Sequence, residues 1–162
     1  MKKIFLLLAI VVSMVAKAQV TKVYLQASGL TCSMCSNAIN KSLKTLDFVE
    51  KVDADVKSYT FGISFKQNAQ VDFDKIKKKV EDAGFSVSSF VAAIHFNDLQ
   101  LKDNGTVTMG NYTFFIINGK GQSLNGIQRV RLLDKGFVSS KEYKSNALGQ
   151  VATVAGVYHA SL

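Results

Sequence analysis

An α+β chain is predicted by three patterns in the sequence. Two-residue alternation runs through 20–28 and 59–65, apolar residues recur at helical spacing after Cys32 and after Asp72, and the second half carries β-branched and aromatic runs. With 48% hydrophobic and 20% charged residues in 162, wholesale disorder is excluded. Two cysteines cannot staple a disulfide-dense scaffold. The absence of proline removes folds whose site depends on a cis-proline.

Residues 1–18 read as a signal peptide. Lys2 and Lys3 precede an apolar run from Ile4 to Val12, and Ala16-Lys17-Ala18 has the small-x-small pattern of a cleavage site. The run is short for a bilayer span and no stop-transfer segment follows, so a membrane anchor is the weaker reading. No cysteine stands near the cleavage site to carry a lipid. The expectation is an exported, periplasmic chain, cleaved near Ala18, with no transmembrane segment after signal removal.

The remaining elements follow in order. Val23, Leu25 and Ala27 alternate with Lys22, Tyr24 and Gln26, a strand with one buried face. After the loop Gly29-Leu30-Thr31-Cys32, the residues Cys35, Ile39, Leu43 and Leu46 share one helix face. Residues 48–54 and 59–65 read as a hairpin turning at Asp55–Ser58. A second helix is capped by Asp72, buries Phe73, Ile76, Val80 and Ala83, and stops at Gly84. A strand at 85–90 completes β-α-β-β-α-β, the ferredoxin-like arrangement.

From residue 91 the runs 93–101, 107–109, 112–117, 127–137 and 151–158, with a short helix at 140–147, suit a small all-β domain. Their order suggests an OB-like barrel. The expected organisation is therefore a signal peptide at 1–18, a ferredoxin-like domain at 19–90 and a β-rich domain of unknown role at 91–162.

Charge does not point to nucleic acid. The net +8 falls to +5 once Lys2, Lys3 and Lys17 are removed, and the cluster Lys75, Lys77, Lys78 and Lys79 is interleaved with acids. Arg129 and Arg131 share a strand face that is solvated by default. There is no Gly-x-Ser-x-Gly elbow, no Cys-His pair close in sequence and no paired carboxylates, so no enzyme is expected.

The chemistry concentrates in Gly29-Leu30-Thr31-Cys32-Ser33-Met34-Cys35. A cysteine in the loop and another in the first helical turn let two sulfurs converge, and a helix N-terminus stabilises thiolates. Two soft thiolates suit Cu(I), whereas structural zinc usually takes four protein ligands. Oxidation to a disulfide and thiol-disulfide exchange are rivals in an export compartment. Against them stand the missing proline, the missing Trp before Cys32 and the missing third cysteine.

Gly29-Leu30-Thr31-Cys32-x-x-Cys35 after the first strand of such a unit resembles the heavy-metal-associated domain, over about residues 20–90. That family includes copper chaperones, the N-terminal modules of copper-transporting ATPases and the periplasmic mercury-binding protein. The resemblance implies that Cys32 and Cys35 hold the metal, with Leu30 in place of the usual Met as a buried tether and Thr31 of the copper type. It also implies that Phe85, in Ala83-Gly84-Phe85, packs beside the loop. Cu(I) is the expected ion, with Hg, Ag and Zn as thiophilic alternatives, and a metal-donor or acceptor protein the expected partner. Met34, His95 and His159 are weaker accessory candidates, read first as a loop residue and two unrelated strand residues. A further reading makes the β-rich half a binding module for a partner or ligand.

Overall fold

The computed structural model describes residues 19–30, 32–102, 105–117, 119, 121–146 and 154–162. The signal peptide expected at 1–18 and Thr31 lie outside these residues. The described elements are β1 (Gln19–Ser28), α1 (Ser33–Leu43), β2 (Val49–Asp55), β3 (Thr60–Phe65), α2 (Phe73–Asp82), β4 (Ser86–Gln100), β5 (Thr106–Met109), β6 (Tyr112–Ile116), β7 (Ser123–Leu132), α3 (Ser140–Ser145) and β8 (Val157–Ser161).

Local chemistry explains the first six. In β1 the alternation buries Val23, Leu25 and Ala27, while Tyr24 and Gln26 face outward. The β2–β3 turn is closed by the Asp55 carboxylate, which accepts from the Lys57 backbone N–H at 2.9 Å and the Ser58 hydroxyl at 2.8 Å. Asp72 caps α2 by accepting from the Lys75 N–H at 2.9 Å, satisfying a donor that the helix itself leaves free. Phe73, Ile76 and Val80 form the buried stripe of that helix. Gly84, at φ +88°, then turns the chain into β4 in a backbone conformation that favours glycine.

All eight strands belong to one sheet, in the order β2-β3-β1-β4-β7-β8-β6-β5. The OB-like barrel expected for the second half does not form, because its strands build outward from the β4 edge and leave β5 and β2 at opposite ends. Spacing alone cannot distinguish a strand that closes on its own half from one that extends a neighbour's sheet. The sequence reading separated strands at 85–90 and 93–101, but nothing in Val91-Ala92-Ala93 breaks the chain. β4 therefore runs through residue 90, pairing with β1 along one side and β7 along the other. It is irregular against β1 where Ser89 gives way to Val87, and again against β7, where the register shifts between Phe96 and Leu99 and Asp98 adopts φ +43°. β7 likewise starts earlier than expected and includes Asn125-Gly126, a dipeptide typical of turns.

The core is one cluster extending through both halves. Its joint is aromatic. Phe73 of α2 stacks on Tyr112 at 4.7 Å between centroids and meets Phe90 edge-on at 5.2 Å and Tyr158 at 5.6 Å. Phe137 closes the group, edge-on to both Phe90 and Tyr158. Tyr158 also donates to the Asp74 carboxylate at 2.9 Å, and the Lys77 ammonium lies 4.6 Å from the centre of the Phe137 ring. The second half is thus fastened along α2 as well as along β4. Among the described residues, no helix is long and apolar enough to cross a membrane.

Candidate metal centre

β1 delivers the chain to Gly29, whose φ of +84° starts the loop. Leu30 is buried beneath it, at 8% exposure. Cys32 is extended at φ −153° and serves as the N-cap residue of α1. Its carbonyl accepts from the backbone N–H groups of Cys35 at 3.1 Å and Ser36 at 3.4 Å, which fixes the first turn around it. The two sulfurs lie 2.8 Å apart with no disulfide between them, Cys32 exposed and Cys35 half-buried against the core. No acidic side chain occupies the first turn of α1, so no carboxylate there opposes charge on the sulfurs.

Phe85 stands at the edge of the same loop. A Cβ added to Gly29 would stand 3.9 Å from its ring, so the α2–β4 turn borders the loop. The β2–β3 tip sits at the same end of the sheet. The Ala27 N–H donates to the Tyr59 carbonyl at 3.2 Å, and the Gln26 amide donates to the Ser58 carbonyl at 3.1 Å. There Asp55 is held below the usual carboxylate range, chiefly by the Ser58 hydroxyl and then by the Lys57 N–H. Sequence periodicity passed over Ser36. It follows Cys35 directly, is only 2% exposed, and its hydroxyl has no partner among the described residues. A polar residue inside an apolar helical stripe was the available signal.

The accessory candidates do not join the thiols. Met34 projects into solvent at 80% exposure. His95 in β4 faces Ile127 of β7, while the His159 carbonyl in β8 accepts from the N–H of Leu133, six residues further along that chain. At the rise of a strand that separation is about 20 Å, so the histidines form no pair. The Asp134 carboxylate instead engages His159 twice, accepting its backbone N–H at 2.7 Å and lying 2.8 Å from its Nδ1. Among the described residues, no cluster of three or more His, Cys, Asp or Glu stands ready for a metal. What remains is a two-sulfur site, suited to an ion content with few soft ligands and unlike the four-ligand cage of structural zinc.

Fold and site together define a ferredoxin-like unit that presents a thiol pair at a strand-to-helix junction, extended by further strands. The heavy-metal-associated domain model matches residues 25–86. The periplasmic component of the mercuric transport protein of Pseudomonas fluorescens is 37% identical over 90 residues, 54% of this chain and 97% of that protein. A copper-transporting ATPase of Helicobacter pylori is 36% identical over 58 residues, 36% of this chain and 8% of the ATPase. Among solved structures, the yeast copper transporter domain Ccc2a, studied in apo and Cu(I)-loaded states, is 33% identical over 41% of this chain and 90% of that chain, with a TM-score of 0.36. The chain spans only about a tenth of the length of the first ATPase relatives, at 8% and 11%. It belongs to the heavy-metal-associated domain family, with Cys32 and Cys35 as its CxxC pair.

Proposed function

We propose that this chain is an exported carrier or scavenger of soft metal ions, with Cu(I) as its main cargo. The observation that carries the reading is the convergence of two thiol sulfurs at the start of α1, one of them open to solvent. Cys32 and Cys35 bind the ion as thiolates. Leu30 beneath the loop and Phe85 beside it hold the backbone in place. Hg and Ag ions fit the same donor pair, and zinc fits it less well because two further ligands are missing.

A two-coordinate ion leaves positions open to an incoming thiolate or thioether. Transfer to a donor or acceptor protein then proceeds one sulfur at a time through a three-coordinate state, and each Cys returns to its thiol by taking up a proton. The leader-like residues 1–18 and the similarity to a protein described as a periplasmic component support export with cleavage near Ala18.

The test is a titration of reduced chain, residues 19–162, with Cu(I) against a competing chelator, alongside Cys32→Ser/Cys35→Ser and a thiol count on protein taken from the export compartment. One ion per chain, lost in the double variant, with thiols free or metallated, is the expected result. Weak binding with a quantitative Cys32–Cys35 disulfide would overturn the carrier reading and favour redox chemistry.

A further inference from the structure

Helices α1 and α2 cover one face of the sheet, α3 reaches the other only where Glu142 bonds Arg131 at 3.0 Å, and strand pairing draws a line of cations across that second face. Lys51 of β2 pairs with Ser64 of β3, Ser64 with Lys22 of β1, Lys22 with Ala93 of β4, and Ala93 with Arg129 of β7. Residues in one such row point to the same side of a sheet. The row therefore reads cation, small, cation, small, cation across five strands. At about 4.8 Å between strands, the backbone positions that carry successive cations recur roughly every 10 Å. Tyr24, in the next row, anchors the centre. Its ring has the Lys22 ammonium at 5.4 Å from its centroid and the Arg129 guanidinium carbon at 5.7 Å. Lys51 shares its charge with Asp53 at 2.7 Å. Among the described residues, neither Lys22 nor Arg129 lies within salt-bridge distance of a carboxylate.

We infer that this second face binds an acidic polysaccharide carrying one charge per disaccharide, laid across the strands along the row Lys51, Lys22, Arg129. Charge complementarity selects a polyanion, and the spacing selects among polyanions. Side chains on one side of an extended peptide recur at only about 7 Å, which does not match the row. A disaccharide repeat has the length of the interval between alternate strands. Ser64 and Ala93 between the cations give the polymer a low floor. The row needs both halves of the chain, because Arg129 enters it only through the β4–β7 pairing, whereas the thiol pair lies in the first half alone.

The test uses the full chain and a fluorescent hyaluronan decasaccharide, with poly-glutamate of matched charge and anionic phosphatidylglycerol vesicles as competitors. Hyaluronan binding that weakens at least tenfold in Lys22→Gln/Arg129→Gln, and weakens with added salt, is expected. Cys32→Ser/Cys35→Ser retains that binding, so its outcome is separable from the metal reading. An unchanged thermal melt of Lys22→Gln/Arg129→Gln establishes that the variant is folded. The inference is overturned if the wild type does not bind hyaluronan, if the double charge variant binds as well as wild type, or if poly-glutamate or the vesicles bind more tightly.

Discussion

Replacing Phe73 with alanine tests whether the two halves are one cooperative body. The side chain is fully buried and touches rings from both sides of the joint, Phe90 at 5.2 Å and Tyr112 at 4.7 Å. A buried Phe removes about 200 Å² from water, which at about 25 cal/mol/Å² is roughly 5 kcal/mol, of which the alanine methyl keeps a part. Lost ring contacts and an incompletely closed cavity bring the expected cost to about 4 kcal/mol, within the range for Phe→Ala substitutions. With a urea m-value of about 2 kcal/mol/M, the midpoint falls by about 2 M. Unfolding followed by far-ultraviolet circular dichroism and by tyrosine fluorescence should shift together in a single transition, and Phe73→Leu should lose less than half as much. A cost under about 1.5 kcal/mol would refute the reasoning about the joint. So would two separate transitions of which only one moves.

The two joint tyrosines should respond oppositely to loss of their hydroxyls. The Tyr112 oxygen is enclosed with no partner among the described residues, so Tyr112→Phe should raise stability by up to about 1 kcal/mol in chemical denaturation. Tyr158→Phe gives up its bond to the Asp74 carboxylate and should cost about 1.5–3 kcal/mol by the same assay. Burial, followed by the charge of Asp72 for Tyr112 and of Asp74 for Tyr158, pushes both phenols well above the usual tyrosine range. An unfolded tyrosine ionises near pH ~10, so the stability from keeping these two protonated is complete below that pH and falls as pH rises past it. Absorbance at alkaline pH should show two of the five tyrosines ionising only as the chain unfolds; five ionising together near pH ~10 in folded protein would contradict this. Gly105→Ala should destabilise the chain by more than about 1 kcal/mol in a thermal melt, since φ is +73° and a Cβ would stand 2.6 Å from the Ile116 carbonyl oxygen.

The first half was legible because its signals are local. Alternation in β1 and β3, the Asp72 cap and the Gly84 stop each depend on neighbours a few residues away, and all are found in place. The thiol pair was legible for the same reason, since a loop cysteine and a first-turn cysteine three residues apart must lie close. The second half depends on pairing partners far along the chain. Nothing local in Thr113–Ile116 announces that β6 runs parallel to β8, more than forty residues later. Asn125-Gly126 reads as a turn locally and is overridden by pairing with Phe96. His95 and His159 share a residue type, but β-sheet geometry sets them about 20 Å apart.

The length of β4 has a consequence for how metal would be handed over. Two modules joined by a flexible linker sample many orientations, and whatever one grips hardly constrains what the other presents. Here a single 15-residue strand belongs to both halves, with no tether between them to swivel. Any surface that holds the second half therefore sets the direction in which Cys32 and Cys35 point. Docking supplies aim as well as proximity, and an exchange partner can be required to approach from one side only.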